Sequence, residues 1–208
     1  MRHYQEKTFN LGAVAGFSEK QISEHLKLYA GYVKNTNKIA EDIARLGGDD
    51  VNAVAVSELR RRFGFEFNGM RLHELYFEAL GASASAEGFG RTPPEPLATE
   101  RGQGGSALAQ ALTEQFGSVD AWASDFKKAG MMRGIGWVLL CHDSHTGNLF
   151  NAWVTDHEIG HLAGLPILLA MDVWEHAYAL DFLPTGRKEY IEVFFKNLRW
   201  EVVESRFR

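Results

Sequence analysis

The stretch MDVWEHAY, residues 171–178, decides how the rest of this 208-residue chain is interpreted. It follows an apolar run, residues 166–170, that is typical of a buried strand, and Asp172 and His176 stand four residues apart at its end. Such a pair can bind one metal ion, with Trp174 and Tyr178 as apolar walls of the site. The simpler alternative is a strand end and helix cap, with Asp172 as the cap and His176 hydrogen-bonded in the core. This stretch alone leaves both interpretations open.

Composition and charge restrict the class of protein. Hydrophobic residues make up 45% of the chain, enough for one packed domain or two small ones. Charges of both signs are mixed, and the net charge of -5 argues against nucleic acid or an anionic membrane as the main partner. An anionic substrate would therefore need a locally positive site, such as a metal ion.

Cysteine content and the N-terminus bear on localisation. Cys141 is the only cysteine, so no intrachain disulfide can form. Residues 1–7 lack the apolar core of a signal peptide, and no stretch is long enough to span a bilayer. We expect a soluble, cytoplasmic protein.

The first part of the chain predicts a long helix. Ser18 and Gln21 fit a capping box, in which Ser18 caps the first turn and Gln21 reaches back to the Ser18 backbone. The helix should end near Leu46, before two glycines. His25 and Tyr32 are seven residues apart, about two turns, and therefore point the same way.

A second helix is predicted over residues 70–80, with His73 on its apolar face. Before it, Ser57 caps a short basic segment, residues 58–62, and the glycines within residues 64–69 interrupt that segment. A single His on an apolar face is usually a hydrogen-bonded core residue. Two antiparallel helices that each present an inward His favour a shared site instead.

Composition then divides the chain into three parts. Residues 83–105 are rich in Gly, Ala, Ser and Pro and predict a linker between a helical domain, residues 1–82, and a mixed domain, residues 106–208. The mixed domain should contain helices at 107–116 and 119–131, strands at 136–142, 148–155 and 165–171, and a long helix from Arg187 to the C-terminus. The predicted fold class is α+β, with a helical hairpin followed by a three-stranded antiparallel sheet flanked by helices.

Four separated residues form a candidate metal set. Three imidazoles and one carboxylate suit a first-row transition metal such as iron, manganese or zinc. The candidate ligands are His25, His73, Asp172 and His176. Tyr32 shares the face of His25, so its hydroxyl could approach a further, exchangeable ligand.

A competing local motif is HEIGH, residues 157–161, which matches the H-E-x-x-H pattern of zinc peptidases. Its context is unfavourable, because it directly follows a predicted strand and contains Gly160 where a helix would be needed. Gly164 and Pro166 leave little room for such a helix. A zinc peptidase is therefore the more distant alternative.

The chain resembles iron/manganese superoxide dismutases over essentially its whole length, apart from the loop near residues 102–105. The most specific motif is DVWEHAY at residues 172–178, which supplies two ligands in that family. GIGW at 134–137, LHELYF at 72–77 and YVKNTN at 32–37 are similar to further family motifs.

The resemblance implies a fold in which a helical hairpin and an α/β domain with a three-stranded sheet hold one metal ion between them. It implies dismutation of superoxide, a small anion, to oxygen and hydrogen peroxide, with one iron or manganese ion per subunit and a slight preference for iron. It also implies that Trp137, Trp174 and Tyr76 form walls of the metal pocket.

The first ligand departs from the family pattern. In the family this His lies eight residues before the Tyr that corresponds to Tyr32, and an ungapped match places Glu24 there. Seven residues suit a regular α-helix, whereas eight suit a helix with an inserted residue. We therefore expect a one-residue deletion that leaves His25, rather than Glu24, as the ligand.

Two gateway residues of the family are also missing. A His midway between the ligand and the Tyr is replaced in the neighbourhood of Leu28 or Tyr29, and a later Tyr is replaced by Ala179. These departures bear on rate and pH dependence more than on the reaction. They keep open a catalytically impaired, dismutase-like metal-binding protein.

The resemblance also bears on the residue that tunes the metal, which in the family comes from the second helix or from the second strand of the hairpin. The family's Gln can lie four residues before His73, but Gly69 stands there. The resemblance then implies that His157, rather than Asp156, donates to the metal-bound solvent and influences the redox potential and the pKa of that solvent. No role is assigned to His161.

Glu175 has a role implied by the same resemblance. In the family this residue reaches across a two-fold interface to a ligand His of the partner subunit. We therefore expect a homodimer, or a tetramer built from such dimers, with Glu175 at the interface.

Overall fold

The computed structural model describes residues 2–48, 50–81 and 106–208. The predicted α+β class is confirmed. The α-helices are α1 (Glu19–Leu46), α2 (Ala53–Ala79), α3 (Ala107–Phe116), α4 (Val119–Gly130), α5 (Ala179–Phe182), α6 (Arg187–Lys196) and α7 (Trp200–Arg206). The strands are β1 (Gly136–Asp143), β2 (Asn148–Thr155) and β3 (Ile167–Asp172), and 3₁₀ turns lie at Asp50–Asn52 and Glu175–Ala177.

Helix α1 begins and ends where the sequence predicts. Ser18 Oγ accepts a hydrogen bond from the Gln21 backbone N–H at 3.0 Å, and Gly47 follows the last turn. The buried residues recur every three to four positions, so one stripe of α1 faces the core and packs on α2. The stripe consists of Gln21, His25, Tyr29, Val33, Thr36, Ile39 and Ala40.

Helix α2 is unbroken from Ala53 to Ala79, so the predicted interruption over residues 64–69 is wrong. Ser57 lies inside this helix, where its hydroxyl donates to the Ala53 carbonyl at 2.8 Å instead of capping a new segment. Glycine weakens a helix by only about 1 kcal/mol. Packing of α2 on α1 outweighs that cost.

The three-stranded antiparallel sheet is confirmed, with strand order β2-β1-β3. The central strand β1 is buried at every position except its last. Trp137 on β1 pairs with Val154 on β2 and Asp172 on β3. Because directly paired residues present their side chains on the same face, Trp137 and Asp172 lie side by side at one end of the sheet.

The C-terminal helix is interrupted, contrary to the prediction of one continuous helix from Arg187. The Arg199 N–H donates to the Ala79 carbonyl at 2.8 Å, and Leu198 forms an antiparallel bridge with Leu80. This pairing with the end of α2 takes the backbone out of the helical path. Sequence periodicity carries no sign of such a long-range contact.

The predicted linker, residues 83–105, lies outside the described residues, so the division into domains 1–82 and 106–208 stays a prediction. Among the helices that the structure describes, none combines the length and the apolar character needed to cross a membrane.

Candidate metal centre

Two helices, one strand end and one turn bring the four candidate ligands together. His25 lies on α1, His73 on α2, Asp172 at the end of β3, and His176 in the 3₁₀ turn that follows. One ligand atom from each of these residues lies within 4.8 Å of the other three. The donor set is therefore assembled from both parts of the chain.

The chemistry of this cluster fits a metal ion. The three imidazole Nε2 atoms surround Oδ2 of Asp172, at 3.1 Å (His25), 3.1 Å (His176) and 3.7 Å (His73). Among the residues that the structure describes, none offers a hydrogen-bond partner to the buried Nε2 of His73, although buried polar atoms almost always have one. An iron or manganese ion held by the four residues would satisfy this nitrogen.

The protonation states also suit metal binding. Burial is the main cause that lowers the pKa of His25, and burial together with the neighbouring His25 lowers the pKa of His73 well below its usual range. Burial alone would raise the pKa of Asp172, but His176 and His25 hold it below its usual value. Near neutral pH the site thus offers neutral imidazoles at His25 and His73 and an ionised carboxylate, the forms that bind metal.

Hydrogen bonds from outside the cluster orient its ligands. Nδ1 of His73 lies 2.6 Å from the Gly69 carbonyl, which can only accept, so the proton is on Nδ1 and Nε2 keeps its lone pair. The backbone N–H of Trp174 donates to Oδ1 of Asp172 at 2.8 Å, which leaves Oδ2 facing the imidazoles. Tyr190 donates to the Asp172 backbone carbonyl at 2.6 Å.

Gln21 connects α1 to the segment that carries His176. Its Nε2 donates to the His176 carbonyl at 2.7 Å, and its Oε1 accepts from the Leu180 N–H at 3.1 Å. The second half of the predicted capping box is therefore wrong, because the Gln21 side chain turns away from Ser18. A buried amide requires partners for both its oxygen and its nitrogen, and the ligand segment supplies both.

Helix α1 presents His25 to the cluster and Glu24 to solvent. The His25 side chain is 1% exposed, whereas Glu24 accepts from Lys27 Nζ at 2.7 Å on the outer surface. The helix is α-helical throughout, with no inserted residue, so His25 and Tyr32 share one face. This geometry supports His25 over Glu24 as the first ligand.

A hydrogen-bonded chain runs beside the cluster from Trp137 through His157 to Tyr32. Trp137 Nε1 lies 2.9 Å from His157 Nδ1, and His157 Nε2 lies 2.8 Å from the Tyr32 hydroxyl. An indole N–H can only donate, so His157 Nδ1 accepts and the proton of the neutral ring is on Nε2. Burial lowers the pKa of His157 to about 4, which keeps this ring neutral near pH 7.

Tyr32 consequently accepts from His157 and keeps its own hydroxyl proton to donate. Burial is the main cause that raises the pKa of Tyr32, so the hydroxyl stays protonated. Its ring packs against α2 at Gly69, where an added Cβ would lie 2.6 Å from Tyr32 Cδ1. Gly69 therefore gives Tyr32 the room that a larger residue would fill.

The three predicted wall residues all surround the cluster. Ring centroids are 5.1 Å apart for Trp137 and His73, 5.6 Å for Trp174 and His176, and 5.0 Å for Tyr76 and His25. The aromatic rings shield the ligands from water on these sides. His176, with 22% of its side chain exposed, marks the side that remains open.

The HEIGH motif does not form a zinc-peptidase site. Residues 156–160 make a turn instead of a helix, with Thr155 and Ile159 joined as an antiparallel bridge. Both ring nitrogens of His157 are engaged by Trp137 and Tyr32, and Nε2 of His161 lies 2.9 Å from the His157 carbonyl. The two imidazoles therefore do not converge on one ion.

The positions near the missing midway His have other partners. Leu28 is 41% exposed. The buried Tyr29 hydroxyl accepts from the Lys7 N–H at 2.9 Å and donates to Glu74 at 3.3 Å. Neither residue extends the hydrogen-bonded chain of Tyr32.

Sequence reasoning missed three residues that support the site: Gln21, Asn68 and Tyr190. The sequence assigns Gln21 to a helix cap and places Tyr190 in the predicted C-terminal helix without a role at the site. The signal available for Tyr190 is that a buried hydroxyl requires a partner. Asn68, whose Nδ2 donates to the His157 carbonyl at 2.8 Å, gives no signal in a single sequence.

Comparisons with known proteins identify a family model and several relatives similar to this chain. The family model described as "Iron/manganese superoxide dismutases, C-terminal domain" matches residues 103–206. A protein named "Superoxide dismutase [Fe]" from Cupriavidus metallidurans is 33% identical, over 93% of this chain and 90% of its own length. Another of that name from Aquifex pyrophilus is 34% identical over 92% and 84%, and "Superoxide dismutase [Mn] 1" from Halobacterium salinarum is 31% identical over 91% and 88%.

Proposed function

This chain belongs to the iron/manganese superoxide dismutase family, and we propose that it converts superoxide to oxygen and hydrogen peroxide at one iron or manganese ion. The observation that carries the proposal is the buried cluster with an orphaned His73 nitrogen, in a chain that matches dismutases over most of its length. The proposed ligands are His25, His73, Asp172 and His176.

The ion, when bound, supplies one-electron chemistry by alternating between its trivalent and divalent states, so that one superoxide loses an electron and a second gains one. The ligands fix its position and charge. Neutral imidazoles and one carboxylate leave a net positive charge in either state, which attracts a small anion into a protein of net charge -5.

The protein's own part in the reaction is to hold a proton at Tyr32. Trp137 donates to His157, and His157 donates to Tyr32. The Tyr32 hydroxyl therefore keeps its own proton and can donate it away from His157. Reduction of superoxide to hydrogen peroxide consumes protons, and a hydroxyl held next to the ligands can supply one. Donation by His157 itself to solvent at the metal stays a prediction.

Metal analysis combined with a superoxide-consumption assay tests the proposed function. We expect iron or manganese near one ion per subunit, activity that disappears when a chelator removes the metal, and recovery when the metal is returned. Metal at full occupancy without activity would instead support the impaired, dismutase-like protein. That second candidate is favoured by one observation, the loss of the family's gateway residues at Leu28 or Tyr29 and at Ala179.

Replacing Tyr32 with phenylalanine should lower activity by at least about 10-fold while the metal content stays unchanged, because the proton donor is lost but no ligand is. Tyr29→Phe is the matched control, since it removes a buried hydroxyl from the same helix without touching the chain of Tyr32. Its activity should stay within about 2-fold of the wild type. Steady-state rates and metal content measured on both variants check this, and equal losses in the two would contradict the role of Tyr32.

Metal identity and assembly complete the proposal. Relatives named for iron and for manganese match this chain at similar identity, which supports one iron or manganese ion. The slight preference for iron stays a prediction.

We propose a homodimer, or a tetramer of such dimers, with Glu175 at the interface. Glu175 is exposed and directly precedes His176 in the 3₁₀ turn, a position from which it can reach a second subunit. A cytoplasmic location also stays a prediction.

Replacing Glu175 with alanine should weaken both dimerisation and metal retention, because an interfacial acid next to a ligand couples the two. Glu189→Ala, which removes an exposed acid from α6, is the control and should change neither. Analytical ultracentrifugation and metal analysis measure both effects. An unchanged dimer with full metal occupancy in Glu175→Ala would exclude the proposed interface.

A further inference from the structure

The backbone carbonyl of His157 accepts two side-chain hydrogen bonds. Asn68 Nδ2, on α2, donates to this carbonyl at 2.8 Å. His161, four residues after His157, places its Nε2 2.9 Å from the same oxygen. A carbonyl oxygen has two lone pairs and can only accept, so His161 carries a proton on Nε2 and both residues donate. The dismutation chemistry described above makes no use of His161.

The turn after β2 is built so that His161 can reach back. Thr155 and Ile159 exchange backbone hydrogen bonds at 2.7 and 3.2 Å, and Gly160 has a φ of +115°. A Cβ at Gly160 would lie 2.2 Å from the Trp153 carbonyl oxygen, so no other residue fits. The four-residue spacing of the two histidines, which imitates a zinc motif, thus results from a tight turn instead of a helix.

We propose that His161 is a positioning residue for superoxide dismutation, and this rests on the proposed function. Together with Asn68 it fixes the His157 backbone, so that the imidazole stays within hydrogen-bond distance of both Trp137 and Tyr32. Both bonds are needed, because Trp137 sets the tautomer of His157 and Tyr32 receives the resulting N–H. A hydrogen bond of 2.8 Å weakens steeply when the donor shifts or tilts, so small movements of this turn are transmitted to the Tyr32 proton.

The two hydrogen bonds that Asn68 and His161 donate to the His157 carbonyl form a clamp, and Asn68 links this clamp to the metal cluster. It precedes Gly69, whose carbonyl accepts from His73 at 2.6 Å and whose missing side chain accommodates Tyr32. One short stretch of α2 therefore contacts the His157 carbonyl, a proposed ligand and the Tyr32 ring. His161 lies outside α2 and holds the same carbonyl from the turn that follows β2.

Two substitutions of His161 distinguish a positioning role from general packing. His161→Leu removes the donor, whereas His161→Gln keeps an N–H at similar reach. His145→Leu, at an exposed position in the β1–β2 turn, is the control for losing a surface histidine. We expect His161→Leu to lower activity roughly 3- to 10-fold, the size of one lost hydrogen bond, at unchanged metal content. His161→Gln should recover activity to within about 2-fold of the wild type, and His145→Leu should match it.

The second readout does not depend on activity. In long-range ¹H–¹⁵N spectra of the metal-free protein, His157 should show a single tautomer with the proton on Nε2, and that proton should exchange with solvent roughly 3- to 10-fold faster in His161→Leu than in the wild type or in His161→Gln. These results would support the clamp even if the wild-type protein consumed no superoxide. An unchanged His157 spectrum in His161→Leu, or His161→Gln no better than His161→Leu in both measurements, would overturn it.

Discussion

Replacing His25 with alanine is expected to lower metal affinity by more than about 100-fold and to reduce superoxide consumption to background. Three of the proposed ligands would remain, but the proposed ion would lose one of its four protein ligands. The imidazole also packs between the rings of Tyr76 and Phe77, at centroid distances of 5.0 and 4.9 Å. Metal content per subunit by mass spectrometry, together with the assay, measures the loss.

Glu24→Ala is the matched control, because it removes the only other candidate for first ligand from the adjacent position of α1. Glu24 is exposed and pairs with Lys27, so its loss should change metal content and activity by less than about 2-fold. Metal loss in Glu24→Ala with retention in His25→Ala would reverse the assignment. Thermal unfolding of the metal-free proteins separates ligand loss from a packing defect, since a cavity at His25 destabilises the fold with or without metal.

Three of the four candidate ligands are proposed from local spacing, and His73 is added from its place on an apolar helix face. His25 and Tyr32 share a face by helical periodicity, and Asp172 and His176 belong to one contiguous motif. The fold class followed from elements that carry strong local patterns, namely α1, β1 and β2. Where local patterns conflict with long-range contacts, prediction failed: the glycines of α2 suggested a break, and packing on α1 keeps that helix whole.

The supporting residues could not be predicted for the same physical reason. Gln21 satisfies a local capping pattern, and nothing in the sequence indicates that the backbone of His176 and Leu180 offers it better partners. Likewise, nothing in the sequence indicates that both ring nitrogens of His157 are paired, one with Trp137 and the other with Tyr32. Such partnerships depend on how the helical hairpin and the sheet meet.

Replacing Asp172 with asparagine is expected to separate metal binding from folding. The substitution removes the one carboxylate among the four proposed ligands, so metal affinity should fall by more than about 100-fold and activity should disappear. The metal-free fold should persist, because the amide oxygen can still accept from the Trp174 backbone N–H and the amide NH₂ can donate to Nε2 of His73, which has a lone pair. Metal analysis and thermal unfolding of the metal-free protein measure the two effects.

The charge of Asp172 determines whether Asp172→Asn raises or lowers the stability of the metal-free protein. In the metal-free wild type His176 and His25 hold the pKa of the buried Asp172 below its usual value, so the ionised carboxylate stabilises the fold near neutral pH. Asp172→Asn removes that contribution, so the metal-free variant should unfold at a lower temperature than the metal-free wild type, while the wild type alone is stabilised by added metal. Asp156→Asn is the control for the same chemical change near the site, and at its φ of 55° asparagine is well tolerated. Retained metal in Asp172→Asn, or equal metal loss in Asp156→Asn, would contradict the assignment of Asp172 as the anionic ligand.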